Sequence, residues 1–367
     1  MSEPLFPDLD PNTVTHGDRR GRGAGLNMAS RYDRQFSHAT YDGWHREEAT
    51  PTRTRVQVDK SRTILAQNRS PDVPFDRSIN PYRGCEHGCI YCFARPTHAH
   101  LGLSPGLDFE TRLFAKPDAA TLLAGTLARA SYRPETIAIG TNTDPYQPVE
   151  KRWQIMRQIL DVLWEHRHPV SITTKGSLVI RDADILGRMG RAGLATVAIS
   201  LTTLDNSLSR AMEPRAGAPR RRIAAIRMLA QAGVPVTVNL SPVVPGLTDH
   251  EIERLVQAAA EAGARYASSI ALRLPQEVAP LFREWLAREA PDRAAKVMAR
   301  VREMHGGQDY DSRWFHRMRG EGVYADILRR RFELARKRHG LSDRGPALRT
   351  DLFQVPPRAG DQLTLGL

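Results

Sequence analysis

Short apolar segments alternate with amphipathic helical segments from about residue 75 to residue 275. Six short apolar segments predict strands, at residues 78–82, 136–141, 170–175, 196–201, 236–241 and 266–272. Most neighbouring strands are about 26 to 40 residues apart, which leaves room for one helix between them. Repeated βα units predict a parallel sheet whose right-handed crossovers curl into a full or partial barrel, with a doubly wound open sheet as the alternative.

The helical segments carry start and stop signals. Residues 220–232 place apolar side chains on one side, and Gly233 stops this helix. Another helix is predicted to begin at a capping box formed by Thr248 and Glu251 and to end at Gly263. Beyond the last predicted strand the pattern is helical, at residues 277–290, 293–304 and 322–339.

These patterns divide the chain into three parts. Residues 1–60 form a polar, Arg/Gly-rich extension that we expect to be partly disordered, and its run 17–23 is predicted to be mobile or to depend on docking. Residues 61–275 hold the barrel. Residues 276–367 form a C-terminal helical extension that ends in an irregular tail.

Composition narrows the class of protein. Hydrophobic residues make up 41% and charged residues 26%, which argues against a disordered or fibrous chain. No run approaches the roughly 18 consecutive apolar residues of a membrane span. The first residues lack the basic and apolar regions of a secretory signal, so we expect a cytoplasmic protein that does not act at a membrane.

The chain is strongly basic. Lys and Arg number 53 against 41 Asp and Glu, a formal net charge of +12, and only six of the 53 are Lys. Charge of this size attracts nucleic acid and other polyanions. Two basic segments support that interpretation, residues 220–222 and the final helix 322–339, and a solvated basic face is the alternative for both.

The three cysteines, Cys85, Cys89 and Cys92, lie within eight residues of one another. An odd number at this spacing does not predict a disulfide framework, and clustered thiols in an intracellular protein indicate a metal site. Thiolates bind zinc and iron–sulfur clusters alike, and both a closed zinc site and a fully protein-ligated cubane need four ligands. Two interpretations stay open: a Cys3His zinc knot, or a cubane cluster with one iron open. The histidines near the loop are His87, His98 and His100.

The loop follows the first predicted strand, which in a parallel barrel places it at the carboxyl-terminal mouth. Its sequence CEHGCIYC, residues 85–92, resembles the cysteine motif of the radical S-adenosylmethionine (SAM) enzymes, including the aromatic residue before the last cysteine. The wider strings NPYRGC (80–85) and CFAR (92–95) resemble the branch related to spore photoproduct lyase. The resemblance extends over roughly residues 60–290 and to the Arg/Gly-rich N-terminal segment.

This resemblance implies a partial (β/α)6 TIM-like barrel with a [4Fe-4S] cluster at its mouth. Cys85, Cys89 and Cys92 would each bind one iron, and the fourth iron would chelate the amino and carboxylate groups of SAM. The reduced cluster would cleave SAM to methionine and a 5′-deoxyadenosyl radical, which abstracts hydrogen from an unknown substrate. The implied partners are a reductant protein of the flavodoxin or ferredoxin type and a substrate for which nucleic acid is one candidate.

The resemblance also assigns side chains at strand ends. Tyr91 is the aromatic residue of the motif, and we expect it beside the cofactor. Thr143 and Asp144 follow the second strand, where the superfamily commonly carries a Gly-Gly-Glu segment near the amino group of SAM; a turn into a helix is the alternative for Asp144. Lys175 closes the third strand and is expected to pair with the SAM carboxylate, with a surface lysine as the alternative.

Three further residues complete the expected cofactor site. Ser200 ends the fourth strand, where the branch has a serine near the cofactor, and an ordinary half-buried serine is the alternative. Asn239 and Ser241 alternate with Val238 and Leu240, so we expect both to point into the barrel.

The resemblance stops at two points. Spore photoproduct lyase returns a hydrogen atom from an additional cysteine at the end of the second strand, and Thr141 stands there in this chain. Tyr146, Tyr91 or returned 5′-deoxyadenosine are alternative donors, and lesion reversal by the cysteine scheme is disfavoured. The sequence also has no second cysteine cluster, which disfavours the subclasses that insert sulfur or modify peptides.

Overall fold

The computed structural model describes residues 21–32 and 53–356. The strands in these residues are β1 (Arg55–Val58), β2 (Leu65–Gln67), β3 (Arg77–Ile79), β4 (Tyr82–Arg83), β5 (Arg112–Ala115), β6 (Ile137–Ile139), β7 (Val170–Thr174), β8 (Ala195–Ser200), β9 (Val236–Val243) and β10 (Tyr266–Ala271). The helices are α1 (Asp108–Thr111), α2 (Ala119–Leu127), α3 (Glu150–Trp153), α4 (Ile155–Glu165), α5 (Ala183–Arg191), α6 (Asn206–Met212), α7 (Pro219–Gln231), α8 (Ile252–Glu261), α9 (Val278–Glu289), α10 (Pro291–Met304) and α11 (Gly322–Arg338). Short 3-10 helices cover Arg95–Leu101, Ser177–Asp182 and Asp249–Glu251.

One large sheet organises the fold. Its strand order is β10-β9-β8-β7-β6-β3-β2, and the six strands from β3 to β10 run parallel, with β2 as an antiparallel edge. A doubly wound sheet reverses its strand order at a switch point. Here the parallel strands follow one another in chain order without reversal, as in a sheet that curls in one direction. The predicted partial (β/α)6 barrel is therefore confirmed.

Polar and apolar side chains alternate along the parallel strands. In β9, Val236, Val238 and Leu240 are buried, whereas Asn239 and Ser241 are half-exposed. Because successive side chains of a strand point to opposite faces, the polar residues share one face of the sheet. The helices cover the apolar face and form the main core with it, so the face that carries Asn239 and Ser241 lines the interior of the barrel.

The first strand prediction is wrong at its carboxyl end. β3 stops at Ile79, and Tyr82 begins β4, which pairs with β5 in a separate three-stranded sheet of order β1-β5-β4. β1 lies before residue 60 and pairs with β5 along its whole length. The division into residues 1–60, 61–275 and 276–367 stays a prediction.

The predicted capping box does not form. The Thr248 hydroxyl instead accepts a hydrogen bond from the backbone N–H of Val244 at 2.9 Å. The Glu251 carboxylate accepts from the Thr203 hydroxyl at 2.7 Å and from the Leu204 N–H at 2.8 Å. Both side chains tie the loops at the barrel mouth together, and α8 begins after them.

The C-terminal helices pack against the cysteine loop and against the helices of the barrel. Trp285 of α9 is fully buried beside the cysteine loop, and its indole N–H donates to the Ala211 carbonyl at 3.0 Å. α11 packs against α8, with Leu328 and Phe332 in the main core. In the two described ranges, no helix combines the length and the apolar character that crossing a membrane requires.

Candidate active site

The three cysteines lie on one loop that follows β4 at the mouth of the barrel. Two of the thiols are buried and the third is half-buried, and all three are free of disulfides. The loop backbone is tied to α6, because the Ile90 N–H donates to the Met212 carbonyl at 3.0 Å. Gly88 has a φ of 66°, a left-handed conformation that glycine adopts without strain. The loop is thus fixed by contacts that do not involve the sulfur atoms.

The three cysteine side chains also influence one another electrostatically. Burial raises the pKa of Cys85, and the charges of Asp144, Cys89 and Cys92 raise it further. Burial is also the main cause that raises the pKa of Cys89, and the ammonium group of Lys175 opposes it. Buried thiols of this kind become thiolates when a metal centre supplies compensating positive charge. The donor set fits an iron–sulfur cluster held by three thiolates.

The nearby histidines have other partners. His87 Nδ1 lies 3.3 Å from Asp144 Oδ2, and His98 Nε2 lies 2.9 Å from the carbonyl of Arg112. The ring of His100 stacks on an aromatic ring at 5.1 Å. In the described part of the chain, no three His, Cys, Asp or Glu side chains are grouped so that they could hold one ion. Among the described residues, no histidine is therefore placed to complete a Cys3His zinc site. In an iron–sulfur cluster each thiolate binds a different iron, so the three sulfur atoms need not surround one ion.

Arg95 organises the cysteine loop from its buried side. Its guanidinium donates to the carbonyls of Gly88 at 3.1 Å and Cys89 at 3.0 Å, and to two carbonyls just before α1 at 2.9 and 3.1 Å. The remaining donor contacts Glu110 at 2.6 Å, and both side chains of this ion pair are 0% exposed. A planar guanidinium with five N–H donors can satisfy all these acceptors at once.

Residues 21–32, here called the N-terminal strap, dock against the same carboxylate. The N–H groups of Gly23 and Ala24 donate to Glu110 at 3.0 and 2.9 Å. A Cβ atom on Gly23 would lie 2.0 Å from the Gly88 carbonyl oxygen, so only glycine fits there. Of the predicted mobile or docked run 17–23, the described residues are therefore docked, and residues 17–20 lie outside the described ranges.

Tyr91 lies at the centre of a second buried network. Its hydroxyl donates to Glu213, which also accepts from the Thr202 hydroxyl at 2.8 Å and from Arg222. The ammonium group of Lys175 lies 5.7 Å from the centre of the Tyr91 ring. Tyr91, on the cysteine loop, and Lys175 are thus brought together at the mouth, and their roles toward the cofactor stay predictions.

Arg222 changes the interpretation of the basic run 220–222. Its side chain is 1% exposed, and it binds the Gly217 carbonyl at 2.6 Å and the Ser200 carbonyl at 3.1 Å besides Glu213. It is a structural cation, so the run does not form the continuous basic surface that the sequence suggests.

Asp144 connects the loop after β6 to the end of β7. Its carboxylate accepts from the Thr174 hydroxyl at 2.6 Å and from the Lys175 N–H at 2.7 Å, and His87 lies beside it. Burial opposes ionisation, but His87 and these hydrogen bonds lower the pKa of Asp144 to about 2. Both oxygen atoms are engaged by this chain, and a role of Asp144 toward the cofactor stays a prediction.

The other predicted cofactor residues differ in burial and in their hydrogen bonds. The Thr143 hydroxyl donates to a β4 carbonyl at 2.9 Å, so it is hydrogen-bonded within the protein. Ser200 is buried and pairs in register with Asn239, which accepts from a β10 serine hydroxyl at 3.3 Å. Ser241 is half-exposed at the same face as Asn239, as the alternation predicts. Roles toward the cofactor stay predictions for all four.

The candidate hydrogen donors also differ in their surroundings. Tyr146 is 1% exposed, and its hydroxyl donates to Asp182 at 3.1 Å. Thr141 is half-exposed just beyond β6. Sequence reasoning missed Glu110 and Glu213, the carboxylates that anchor Arg95 and Tyr91. Neither follows a periodic pattern, and the only sequence signal was the Arg at the end of the CFAR string.

Comparison with known proteins agrees with this geometry. The family model of the radical SAM superfamily matches residues 79–259. An uncharacterized protein of Mycobacterium tuberculosis is 39% identical over 245 residues, which cover 65% of this chain and 71% of the relative. An uncharacterized protein of Methanocaldococcus jannaschii is 27% identical over 173 residues, 47% of this chain and 62% of the relative.

Solved structures share the fold. A spore photoproduct lyase mutant superposes with a TM-score of 0.56 at 15% identity, over 78% of this chain and 80% of that one. Another, with bound AdoMet and dinucleoside spore photoproduct, gives a TM-score of 0.52 at 14% identity over the same shares. The fold and the family match define a barrel enzyme of a class that implies an iron–sulfur cluster. The chain belongs to the radical SAM superfamily, and its substrate is unknown.

Proposed function

We propose that Cys85, Cys89 and Cys92 hold a [4Fe-4S] cluster and that the chain uses it to cleave SAM reductively. The bound cluster supplies one electron to SAM and yields methionine and a 5′-deoxyadenosyl radical, which takes a hydrogen atom from the substrate. One observation carries this proposal: three free thiols stand on a fixed loop at the barrel mouth, and the sequence has no fourth cysteine. One metal coordination position is then left for SAM.

The residues around the cysteine loop hold its backbone in place and shield it from water. Arg95 and Glu110 are fully buried beneath it, and the N-terminal strap covers them. Pre-organised ligands lose little conformational freedom when metal binds, and a buried site limits access of water to a reactive radical. The polar interior of the barrel, including Asn239 and Ser241, offers hydrogen-bonding groups to SAM and substrate.

Lys175 is the residue that we propose to bind the SAM carboxylate. Its side chain is half-buried and lies next to Tyr91 and the thiol of Cys89. Among the described residues, no carboxylate lies within ion-pair distance of its ammonium group, although the backbone N–H of Lys175 binds Asp144. The cation is therefore available to a ligand at the mouth.

The Lys175→Met variant is expected to bind SAM about 10- to 100-fold more weakly, because a hydrogen bond to a charged group contributes about 1.5–3 kcal/mol. Equilibrium binding of SAM to the anaerobically reconstituted protein measures this change. Iron content should stay that of the parent, and Lys296→Met, an exposed lysine of α10, is the matched control. Equal SAM affinity in the Lys175 variant and the parent would exclude this role.

For the substrate, we propose nucleic acid as the class to test first. The net charge of +12 favours polyanions. On α11, Arg329 and Arg331 are paired with acidic side chains, but Arg330, Lys337 and Arg338 are exposed and face solvent. We also propose that a flavodoxin- or ferredoxin-type protein supplies the electron. We place the protein in the cytoplasm, because free thiols persist in a reducing compartment.

The experiment starts with anaerobic purification of the full chain. We expect a brown protein with about four irons and four sulfides per chain, and formation of 5′-deoxyadenosine when dithionite and SAM are added. Oligonucleotides should raise that rate above the rate without substrate. A colourless protein that contains zinc, or an iron-loaded protein that forms no 5′-deoxyadenosine, would contradict the proposed function.

A further inference from the structure

Arg273 lies at the barrel mouth on the side opposite to Lys175 in strand order. It follows β10, the last of the parallel strands, and so stands at the same end of the sheet as the cysteine loop. Its guanidinium carbon lies 4.1 Å from the centre of the Phe93 ring. Phe93 comes directly after Cys92 and is 44% exposed.

The charge of Arg273 has no partner among the described residues. No carboxylate lies within ion-pair distance of it, and none of its N–H groups donates a hydrogen bond to the described chain. Asp72 acts on it electrostatically, but Arg317 already binds that carboxylate through two contacts of 2.6 and 2.7 Å. The local acid is therefore used by another arginine.

Arg273 is half-buried, and the fully buried arginines show what a structural role requires. Arg95 and Arg222 each bind one carboxylate and several backbone carbonyls. Arg273 has neither kind of acceptor, and burial lowers its pKa. Contact with an aromatic ring stabilises a cation by less than the desolvation of an unpaired charge costs. The stacking on Phe93 alone does not offset that cost.

A planar guanidinium with its donors free is suited to bind a carboxylate or a phosphate through two parallel hydrogen bonds. SAM has one carboxylate, and the proposed function assigns it to Lys175, which lies against the Tyr91 ring. Arg273 lies instead against the ring of Phe93, the residue that follows Cys92. An oxyanion bound there would belong to a second molecule, with the Phe93 ring as an apolar platform beside it.

We propose that Arg273 binds an oxyanion of the substrate, a phosphate or a carboxylate, at the edge of the mouth formed by Cys92 and Phe93. This inference rests on the proposed function for the identity of the bound molecule as substrate. It adds that the substrate carries an oxyanion and that Arg273 binds this group. It also gives a role to a cation that has no ion-pair partner among residues 21–32 and 53–356.

The test uses the anaerobically reconstituted full chain and three probes at constant ionic strength: inorganic phosphate, the dinucleotide d(TpT) and acetate. Calorimetric titration should show that Arg273→Gln weakens binding of phosphate or acetate at least tenfold, while SAM affinity is unchanged. Arg227→Gln, an exposed arginine of α7, is the matched control and should bind as the parent does. Preference for phosphate and d(TpT) identifies a phosphate group, and preference for acetate identifies a carboxylate.

A second readout separates binding from structure. Without ligand, Arg273→Met should melt at a higher temperature than the parent, because it removes a half-buried charge that has no ion-pair partner among the described residues. A variant that melts lower and binds phosphate and acetate like the parent would show a structural role and overturn the proposal, as would a parent that binds none of the probes. Titration does not depend on radical chemistry, so a parent that binds phosphate but forms no 5′-deoxyadenosine refutes only the proposed function.

Discussion

The Cys89→Ala variant is expected to form no 5′-deoxyadenosine above background and to lose most of its iron. Each thiolate binds a separate iron of the proposed cluster, so one missing sulfur leaves a second iron without a protein ligand. The loop has no substitute donor, because His87 lies against Asp144 and the other histidines contact different groups. Iron and sulfide analysis after anaerobic reconstitution, together with chromatography of the reaction with dithionite and SAM, measures both effects.

The fold of this variant should be preserved. Arg95 and the strap hold the loop through its backbone, and the sulfur of Cys89 makes none of those contacts. The metal-free variant and the metal-free parent should therefore show the same circular dichroism. Met228→Ala, which removes an exposed sulfur-containing side chain on α7, controls for the substitution itself and should keep full activity. A Cys89→Ala protein that keeps its iron and its product would refute the cluster assignment.

The barrel could be predicted from the sequence because its signal is local. Strand β7 was predicted at 170–175 and lies at Val170–Thr174, and β10 was predicted at 266–272 and lies at Tyr266–Ala271. Alternation along β9 also placed Asn239 and Ser241 on the polar face. A short period in the pattern of side chains needs no knowledge of distant contacts.

The site could be predicted only in part, because its supports are distant in sequence. Glu110, which binds Arg95, also binds Ala24 of the strap, 86 residues away in the sequence. Glu213 binds Tyr91, which is 122 residues away. The same limit explains the capping-box error, since Glu251 is drawn away to Thr203 by a contact across 48 residues. Composition was misleading at Arg222, where a residue of a basic run is an internal counter-ion.

The buried pair beneath the cysteines leads to the second large expected effect. Arg95→Met should lower the free energy of unfolding by about 3–5 kcal/mol, because it leaves Glu110 charged, buried and without its partner. Four backbone carbonyls also lose their donors, among them those of Gly88 and Cys89 in the loop. Denaturant unfolding of the metal-free protein measures the stability change.

Two comparisons make this prediction specific. Arg331→Met removes a partly exposed pair with Glu253 at 2.7 Å and should lower the free energy of unfolding by less than about 1 kcal/mol. Adding Glu110→Gln to Arg95→Met should recover part of the loss, because the uncompensated charge is then gone. We also expect iron affinity to fall about 10- to 100-fold in Arg95→Met, as when groups that orient metal ligands are removed. An Arg95 variant no less stable than the Arg331 variant, with normal iron content, would show that the loop does not depend on this pair.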